Sequence, residues 1–564
     1  MNPRILCFSI LILFTLLLSN CAPSGTSPAT PTSPNMALMN IPKPGVTQVI
    51  ATPTQTITSS PESIPTATPM PDAQIIDVSV WVPAYLAETF GKAIDDSLSK
   101  LFVSDEATAN IKFDVGTQNV VSQWVYALVT PFSSTLQGVT GDKIISRWQS
   151  GSAELLLMDS NTYEIFTALW GPSGTNVQVV AKEELIDYAW AHQPTLAIVP
   201  FEELDPRWKV LPVDGLTPVR KGFVLENYQL KVPISINSDP DRVALMRNNF
   251  VIPPSNIDPQ KMTVVAMTGV TALVRATAST MERRGMTYPA QDIRDWLLSA
   301  DITHISNEVP FAADCPEPNP TQESMRFCSQ DEYIKLLEDI GTDVVELTGD
   351  HFSDWGTEAM FHTLEIYNQR NWPHYGGGAT LADGRKALLL EQDHNKIAFI
   401  GCNAKGGSFA QASDTLPGAA ACDMDWMAGE IARLKAEGYL VIATFQHLEY
   451  YMYASQPDQQ RDFRQMAQAG ADIVSGSQAH QPQGMEFIGD SFIHYGLGNL
   501  FFDQYGVCEA CRQSFIDRHV FYDGRYISTE LIPIEFIDYA RSRPMTVEET
   551  NELLETLFSA SGWR

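Results

Sequence analysis

The sequence predicts an exported protein with two α/β domains in series. Strand and helix patterns alternate through residues 73–245 and again through 255–545, and this alternation is typical of α/β domains. The pair Pro253-Pro254 lies between the two ranges. A chain of 564 residues is also too long for one ordinary domain. We therefore expect two folded domains.

The charge balance excludes one large class of partner. The chain has 37 Lys and Arg against 67 Asp and Glu, a formal net charge of −30 at pH 7. Proteins that bind nucleic acid need a basic surface to contact phosphates. We therefore expect no nucleic-acid partner.

Residues 1–21 have the pattern of an export signal. An apolar run over residues 5–18 is too short and too close to the terminus for an ordinary membrane span. It ends in Leu17-Leu-Ser-Asn-Cys21, which resembles a bacterial lipobox and implies lipidation of Cys21. Asn20 departs from the small residue usual at that position, so simple secretion is the alternative. Both alternatives predict an extracytoplasmic protein, and lipidation makes the cell membrane a partner.

A linker is predicted over residues 22–72. This segment is rich in Pro, Ser and Thr and has almost no charge. It cannot bury enough apolar surface to fold by itself. We expect it to be an extended stalk.

Six cysteines remain beyond Cys7 and Cys21, an even number in an exported chain. The alternative for Cys508-Glu-Ala-Cys511 is a redox or metal-binding CxxC motif, but no second CxxC completes a zinc site. We predict structural disulfides, and the near pairs are Cys315 with Cys328, Cys402 with Cys422, and Cys508 with Cys511.

Apolar runs define the strands of the first domain. They are residues 75–82, 111–115, 155–158, 177–180 and 196–199, and the helical patterns cover 84–101 and 183–191.

Three segments of this domain resemble periplasmic solute-binding proteins of the phosphate-binding type. They are Ser122–Phe132, Ala197–Phe201 and Leu211–Pro218. The resemblance implies a solute site, in which the hydroxyls of residues 133–135 would bind an anion at a helix start. The alternative is an ordinary Ser/Thr turn.

The most informative stretch of the second domain is residues 343–356. Its apolar start, 343–347, predicts a short buried strand. Asp350, His351 and Asp354 follow it, at the strand end where open α/β sheets place ligand sites. An imidazole beside an acid can bind a metal or move a proton. We assign Asp354 mainly to capping the helix that follows.

The other elements of the second domain follow the same alternation. The predicted strands are 262–268, 301–306, 387–391, 396–400, 440–445 and 473–474, with a closing hairpin over 520–539; the predicted helices are 290–298, 333–340, 357–368, 426–437, 461–469 and 547–558.

Seven ordered blocks over about residues 260–505 resemble the CapA-type family of poly-γ-glutamate capsule biosynthesis proteins. The blocks are Thr268–Arg275, Ala300–Glu308, Leu347–Gly356, Tyr375–Gly378, Phe445–Tyr450, Ala471–His480 and Tyr495–Asp503. The resemblance implies a fold like that of the calcineurin-type metallophosphoesterases, an α/β sandwich over residues 255–545, and a C-terminal helix lies within 546–564.

Several positions depart from the pattern of that family. Gly269 stands where the resemblance implies a metal-binding aspartate, and Gln446 and Gln478 stand where it implies histidines. A divalent metal generally needs three or four protein ligands. A two-metal site is therefore not expected, and a site for one Mn²⁺ or Zn²⁺ ion, or none, remains.

The resemblance implies roles for the residues that are retained. His351 would be the catalytic general acid, with Asp350 beside it. The candidate metal ligands are Asp350, His480, His447 and Glu308, and the candidate binding residues are Asn307, Glu308, Arg275 and Asn499.

Two functions follow as hypotheses. The first is metal-dependent hydrolysis or transfer at a phosphoester or amide bond, in the biosynthesis or processing of a capsule or envelope polymer. The second is a non-catalytic protein that binds an envelope polymer or a solute. Fold alone does not decide between them.

Overall fold

The computed structural model describes residues 47–48, 78–94, 96–150 and 154–563. The predicted export signal, Cys21 and nearly all of the linker lie outside these residues. Among the described residues, no helix combines the length and the apolar composition that a bilayer crossing requires.

The first domain is built on a mixed sheet with helices packed against it. Its strands are β2 (Val80–Trp81), β3 (Ile111–Val115), β4 (Val120–Pro131), β5 (Leu155–Met158), β6 (Val177–Val179), β7 (Thr195–Pro200), β8 (Trp208–Val210) and β9 (Lys231–Asn237), and β1 (Thr47–Gln48) precedes them. Its helices are α1 (Ala84–Ala93), α2 (Asp96–Ser99), α3 (Gly141–Ser150), α4 (Ser160–Trp170), α5 (Leu185–Ala191) and α6 (Pro240–Asn249). The strand order is β2-β3-β9-β4-β7-β5-β6, with β8 beside β4.

Two sequence predictions need correction in this domain. The helix expected over residues 84–101 is divided, because the backbone is extended at Ile94, whose side chain is buried in the core. Residues 133–135 do not lie at a helix start: they follow β4 in a turn, and α3 begins only at Gly141. The Ser133 hydroxyl donates to Gln193 at 2.9 Å, as in the alternative of a polar turn.

The second domain contains the larger part of the chain. Its strands are β10 (Met262–Thr268), β11 (Val270–Thr271), β12 (Ile302–Asn307), β13 (Val344–Glu346), β14 (His374–Tyr375), β15 (Gly377–Gly378), β16 (Leu388–Gln392), β17 (Asn395–Asn403), β18 (Gly418–Ala419), β19 (Leu440–Gln446), β20 (Ile473–Ser475), β21 (Met485–Ile488), β22 (Ser491–His494), β23 (Asn499–Phe501), β24 (Gln513–Tyr522), β25 (Arg525–Ile537) and β26 (Arg541–Pro544). Its helices are α7 (Arg275–Arg284), α8 (Arg294–Leu298), α9 (Ile334–Asp339), α10 (Thr357–Gln369), α11 (Leu381–Arg385), α12 (Met424–Ala436), α13 (Pro457–Ala469) and α14 (Val547–Ala560).

These strands form the two-sheet α/β sandwich that the sequence predicts. One sheet has the order β14-β13-β12-β10-β24-β25-β26, with β11 and β23 beside β12, and the other has β1-β16-β17-β19-β20-β22-β21. Apolar side chains of both sheets meet in one core, including Val265, Val344, Ile442 and Phe492. Helices α12 and α13 cover the outer face of the second sheet, α12 through Ile431 and α13 through Phe463.

One strand of the second sheet comes from the predicted linker. Thr47 and Gln48 pair antiparallel with Glu391 and Leu390 of β16. Without β1, β16 would be the edge of this sheet, and an edge strand exposes unpaired backbone groups. The linker therefore has a structural role at this position.

The two domains share a core and are linked by ion pairs. Phe201 of the first domain packs edge-on against Tyr522 of the second, with ring centroids 4.9 Å apart. Arg220 is paired with Glu530. The described residues form one compact unit.

The three predicted disulfides are present. Cys315–Cys328, Cys402–Cys422 and Cys508–Cys511 are all bonded. Cys508 and Cys511 are thus a disulfide in this structure and not the metal-binding CxxC that was the alternative.

Candidate functional site

The candidate site lies where the parallel strands of both sheets end. Strands β12 and β13 are parallel in one sheet, and β17, β19 and β20 are parallel in the other. Their carboxyl ends open into the loops that carry Glu308, Asp350 with His351, Lys405, Glu449 and His480. The sandwich thus brings charged residues from five distant parts of the chain into one cluster.

Glu308 is the central side chain of this cluster. It is 0% exposed, and neither carboxylate oxygen has a hydrogen-bond partner among the described residues. Its backbone N–H donates to the carbonyl of Thr271 at 2.9 Å, which fixes the loop. Burial raises the pKa of Glu308, and His480 and His351 partly oppose that effect. A buried carboxylate without a partner indicates a place for a cation or a proton.

His351 is oriented by Asp354. The ring nitrogen Nδ1 lies 2.7 Å from Asp354 Oδ2, which leaves Nε2 as the remaining nitrogen. Burial alone would lower the pKa of His351. The hydrogen bond to Asp354 and the charges of Glu308 and Asp350 outweigh burial and raise that pKa to about 9. His351 therefore carries a proton at neutral pH.

The role predicted for Asp354 needs correction. Helix α10 begins after Gly356, and no side chain caps it. Asp354 instead accepts a hydrogen bond from the Phe327 backbone N–H at 2.8 Å and holds His351. The residue pattern alone could not distinguish a capping acid from one that orients an imidazole.

His480 is held in a similar way from the other sheet. Its Nδ1 lies 2.9 Å from Asn499 Oδ1, and its Nε2 lies 3.5 Å from Glu449 Oε1. The Asn499 amide also donates to the carbonyls of His480 and Cys511. Asn499 thus positions His480, and its predicted binding role stays a prediction.

Asp350 is bound on both carboxylate oxygens. Gln446 Nε2 donates to Oδ1 at 2.7 Å, and Lys405 Nζ lies 2.8 Å from Oδ2. Lys405 also contacts Glu449 Oε1. Burial would raise the pKa of Glu449, but the contacts with His480 and Lys405 lower it to about 2. Asp350 and Glu449 are thus linked by one lysine ammonium group.

Two sets of three side chains have the donor atoms of a metal site. One set is Glu308, Asp350 and His351, and the other is Glu308, Glu449 and His480; in each set one donor atom per residue lies within 4.8 Å of the others. Carboxylates and imidazole suit Mn²⁺ or Zn²⁺. Both imidazoles have Nδ1 engaged by an oxygen, which is the usual orientation device for a metal-binding histidine. Together with the unpaired Glu308 carboxylate, these features fit a divalent cation.

Three other residues singled out in the sequence make structural contacts in the fold, and the roles predicted for His447 and Asn307 stay predictions. His447, predicted as a ligand, belongs to neither set: its Nε2 lies 3.0 Å from Asp462 on α13. Asn307, predicted as a binding residue, donates to the Val309 carbonyl at 2.7 Å and holds the turn that carries Glu308. Gln478, which stands where the resemblance implies a histidine, donates to the Ser306 hydroxyl at 2.7 Å between the two sheets.

Arg275 lies at the edge of the cluster in an unusual conformation. Its φ is 48°, a left-handed value that is rare for a residue with a side chain. Its guanidinium group lies 5.2 Å from the Phe327 ring and 5.0 Å from the Phe502 ring, and it contacts the Asp503 carbonyl. Burial lowers its pKa, and the nearby charges of Asp503 and Glu308 oppose that shift. The predicted binding role of Arg275 stays a prediction.

Two members of the cluster were missed by sequence reasoning. Glu449 is part of the Phe445–Tyr450 block, but the strand end drew attention to Gln446 and His447 instead. Lys405 follows β17 without any motif around it. Only its contacts with Asp350 and Glu449 identify it.

Solved structures give only low similarity. A phosphate transport receptor from Vibrio cholerae is 10% identical and covers 31% of this chain and 100% of its own, with a TM-score of 0.25. The sulfate thiohydrolase SoxB from Thermus thermophilus is 11% identical and covers 46% of this chain and 42% of its own, with a TM-score of 0.26. These TM-scores are too low to support a conclusion.

Sequence relatives give a clearer result. The capsule biosynthesis protein CapA of Bacillus anthracis is 22% identical over 307 residues, 54% of this chain and 74% of that protein. The PGA biosynthesis protein CapA of Bacillus subtilis (strain 168) is 28% identical over 174 residues, 31% of this chain and 46% of that protein. The chain thus spans less than half of the second relative. Residues 264–504 match the family model described as bacterial capsule synthesis protein PGA_cap, and this match, with the two relatives, supports the CapA-type family for this part of the chain.

Proposed function

We propose that this chain acts in the synthesis or processing of a capsule or envelope polymer related to poly-γ-glutamate, with one divalent cation bound at Glu308. The names of the two CapA relatives support the polymer class. The single observation that supports the cation is the fully buried Glu308 carboxylate, which has no hydrogen-bond partner within the described ranges.

The chemistry proposed is hydrolysis or transfer at an amide or phosphoester bond. When bound, the cation would supply Lewis-acid polarisation of the bond that is broken. Glu308 would hold it together with Glu449 and His480, because Asp350 is already bound on both carboxylate oxygens and His351 keeps the proton on Nε2.

The chain's own groups would supply the proton. His351 is protonated at neutral pH, because its pKa is raised to about 9 by contacts that outweigh burial. Asp354 fixes its ring through Nδ1, so the proton on Nε2 is the one available to a leaving group. Arg275 adds positive charge at the edge of the cluster and would attract an anionic polymer.

We further propose that the protein is extracytoplasmic and anchored through lipidated Cys21. The basis is the lipobox-like end of the export signal. Membrane fractionation of cells that express the full chain tests this idea. Cys21→Ser should move the protein from the membrane to the soluble extracytoplasmic fraction, and an unchanged membrane fraction would contradict the anchor.

A second candidate function is polymer binding without catalysis. It is favoured by Lys405, which already neutralises Asp350 and Glu449. It is also favoured by Gly269, which provides no side-chain ligand where the family resemblance implies an aspartate.

Cleavage of purified poly-γ-glutamate by the mature chain, with Mn²⁺ and with EDTA, separates the two candidates. We expect fragments only with Mn²⁺, and a roughly hundredfold or larger loss of rate in His351→Gln. His362→Gln is the matched control, because His362 also pairs with an aspartate, Asp331 at 2.8 Å, but outside the site. Absence of both bound metal and cleavage would leave the binding function.

A further inference from the structure

Lys405 connects the two potential metal-binding sets. Its ammonium group lies 2.8 Å from Asp350 Oδ2, in the first set, and contacts Glu449 Oε1, in the second. The two sets share only Glu308. Lys405 therefore contacts Asp350, which belongs only to the first set, and Glu449, which belongs only to the second.

The position of Lys405 is built into the loop after β17. Its backbone N–H donates to the Gln446 carbonyl at 3.2 Å. Asn403, two residues earlier, donates to Gln446 Oε1 at 3.0 Å and accepts from the Gly406 N–H at 2.8 Å. Gln446 in turn donates to Asp350. The lysine and one of its carboxylates are therefore held by the same network, and the side chain has a defined place.

The charges in the cluster limit what else can bind. Three carboxylates, those of Glu308, Asp350 and Glu449, face the two imidazoles and Lys405. Two divalent ions would place four positive charges beside the lysine, because each set would hold one ion. Like charges at such short range disfavour each other strongly in a buried site. Glu308, by contrast, has no hydrogen-bond partner on either oxygen in the part of the chain that the structure describes, and it can accept one ion without displacing the lysine.

We propose that Lys405 is a tethered cation that restricts this site to one divalent ion, held on Glu308. This inference rests on the proposed function, because it assumes that the site binds a metal. In this proposal Lys405 takes the place of a second ion. Its ammonium group lies between Asp350 and Glu449, offsets their negative charge and holds the two sets together.

The number of bound ions tests the proposal. The mature chain is dialysed against Mn²⁺, and bound metal is counted by mass spectrometry. We expect one ion per chain in the wild type and in Lys405→Arg, and two ions in Lys405→Met. Lys435→Met is the matched control: Lys435 pairs with Asp472 at 2.7 Å, away from the site, and its removal should leave one ion.

Electron paramagnetic resonance of the Mn²⁺-loaded wild type provides a test that does not depend on the folding of a variant. We expect the spectrum of isolated Mn²⁺, and a spin-coupled pair in Lys405→Met. A coupled pair or two bound ions in the wild type would overturn the role of Lys405 but not the metal site. One bound ion in a folded Lys405→Met protein would have the same meaning. Zero ions in the wild type would overturn the proposed metal site, and this inference with it.

Discussion

A side chain on Gly269 would overlap the backbone carbonyl of Gly498. The loop before β23 passes so close to the end of β10 that a Cβ atom on residue 269 would have no room. The backbone of this loop therefore occupies the space that a side chain at residue 269 would need.

We expect Gly269→Ala to destabilise the protein by at least about 2 kcal/mol, because the overlap is with backbone and not with a flexible side chain. Gly429→Ala, in the exposed face of α12 with no atom near the added Cβ, should instead stabilise by about 0.5–1 kcal/mol. Urea unfolding of the three proteins gives both values. If Gly269→Ala is as stable as the wild type, the loop that carries Gly498 can shift away from residue 269 at little cost in free energy, which would contradict the prediction. We also expect Gly269→Asp to add no bound metal ion.

Glu308→Gln should stabilise the metal-free protein, by about 1–3 kcal/mol, because it removes a buried charge that has no hydrogen-bond partner among the described residues. The same change should abolish the stabilisation by Mn²⁺, which is about 2.7 kcal/mol at a hundredfold excess over Kd. Thermal unfolding with EDTA and with Mn²⁺ measures both effects.

Glu346→Gln is the control for that change. Glu346 is equally buried at the end of the neighbouring strand, but it accepts from the Thr348 hydroxyl at 2.7 Å and lies 3.2 Å from His304. We expect it to destabilise. If both variants shift the free energy of unfolding in the same direction, the difference in hydrogen bonding between Glu308 and Glu346 does not explain the effect.

Asp354→Asn should lower the pKa of His351 from about 9, because it removes the negative partner that counteracts burial. An NMR titration of the metal-free protein measures this pKa. In the wild type, the raised pKa stabilises the folded chain fully below about pH 6.5, and this contribution is lost as the pH rises through 9. Asp354→Asn should therefore flatten the alkaline part of the stability curve. An unchanged His351 pKa would show that Glu308 and Asp350 dominate it.

His519 should make the fold acid-sensitive. Burial, with His494 nearby, lowers its pKa to about 4, although Asp517 opposes the shift. The unfolded chain takes up the proton near pH 6.5, so about 3 kcal/mol of stability is lost as the pH falls from 6.5 to 4. The variant His519→Gln should lose less stability than wild type over this window in urea unfolding. The exposed His192→Gln is the control and should follow the wild-type curve; a His519→Gln curve that does the same would contradict the predicted pKa.

The loops of the site were predictable, but its contacts were not. Asp350 and His351 follow a short apolar run, and such a run predicts a strand end wherever it occurs in an α/β chain. Glu308 could be placed by the same pattern after β12. Lys405 and Glu449 could not, since their significance depends on which strand ends meet across two sheets. Nor could the sequence show that His447 turns to Asp462, because either face of a strand end can carry a histidine.

Local patterns in the sequence determined the two α/β domains, most strands and helices, the three disulfides between near neighbours and the CapA-type blocks. These depend on periodicity and on short separations along the chain, which the sequence displays directly. Only the tertiary structure decided which charges meet. Glu308 has no hydrogen-bond partner among the residues that the structure describes, Lys405 joins Asp350 to Glu449, and Gly498 fills the space beside Gly269. Each of these facts depends on packing between segments about 40 to 230 residues apart, and electrostatics at such a site follows distance in space and burial, not separation along the chain.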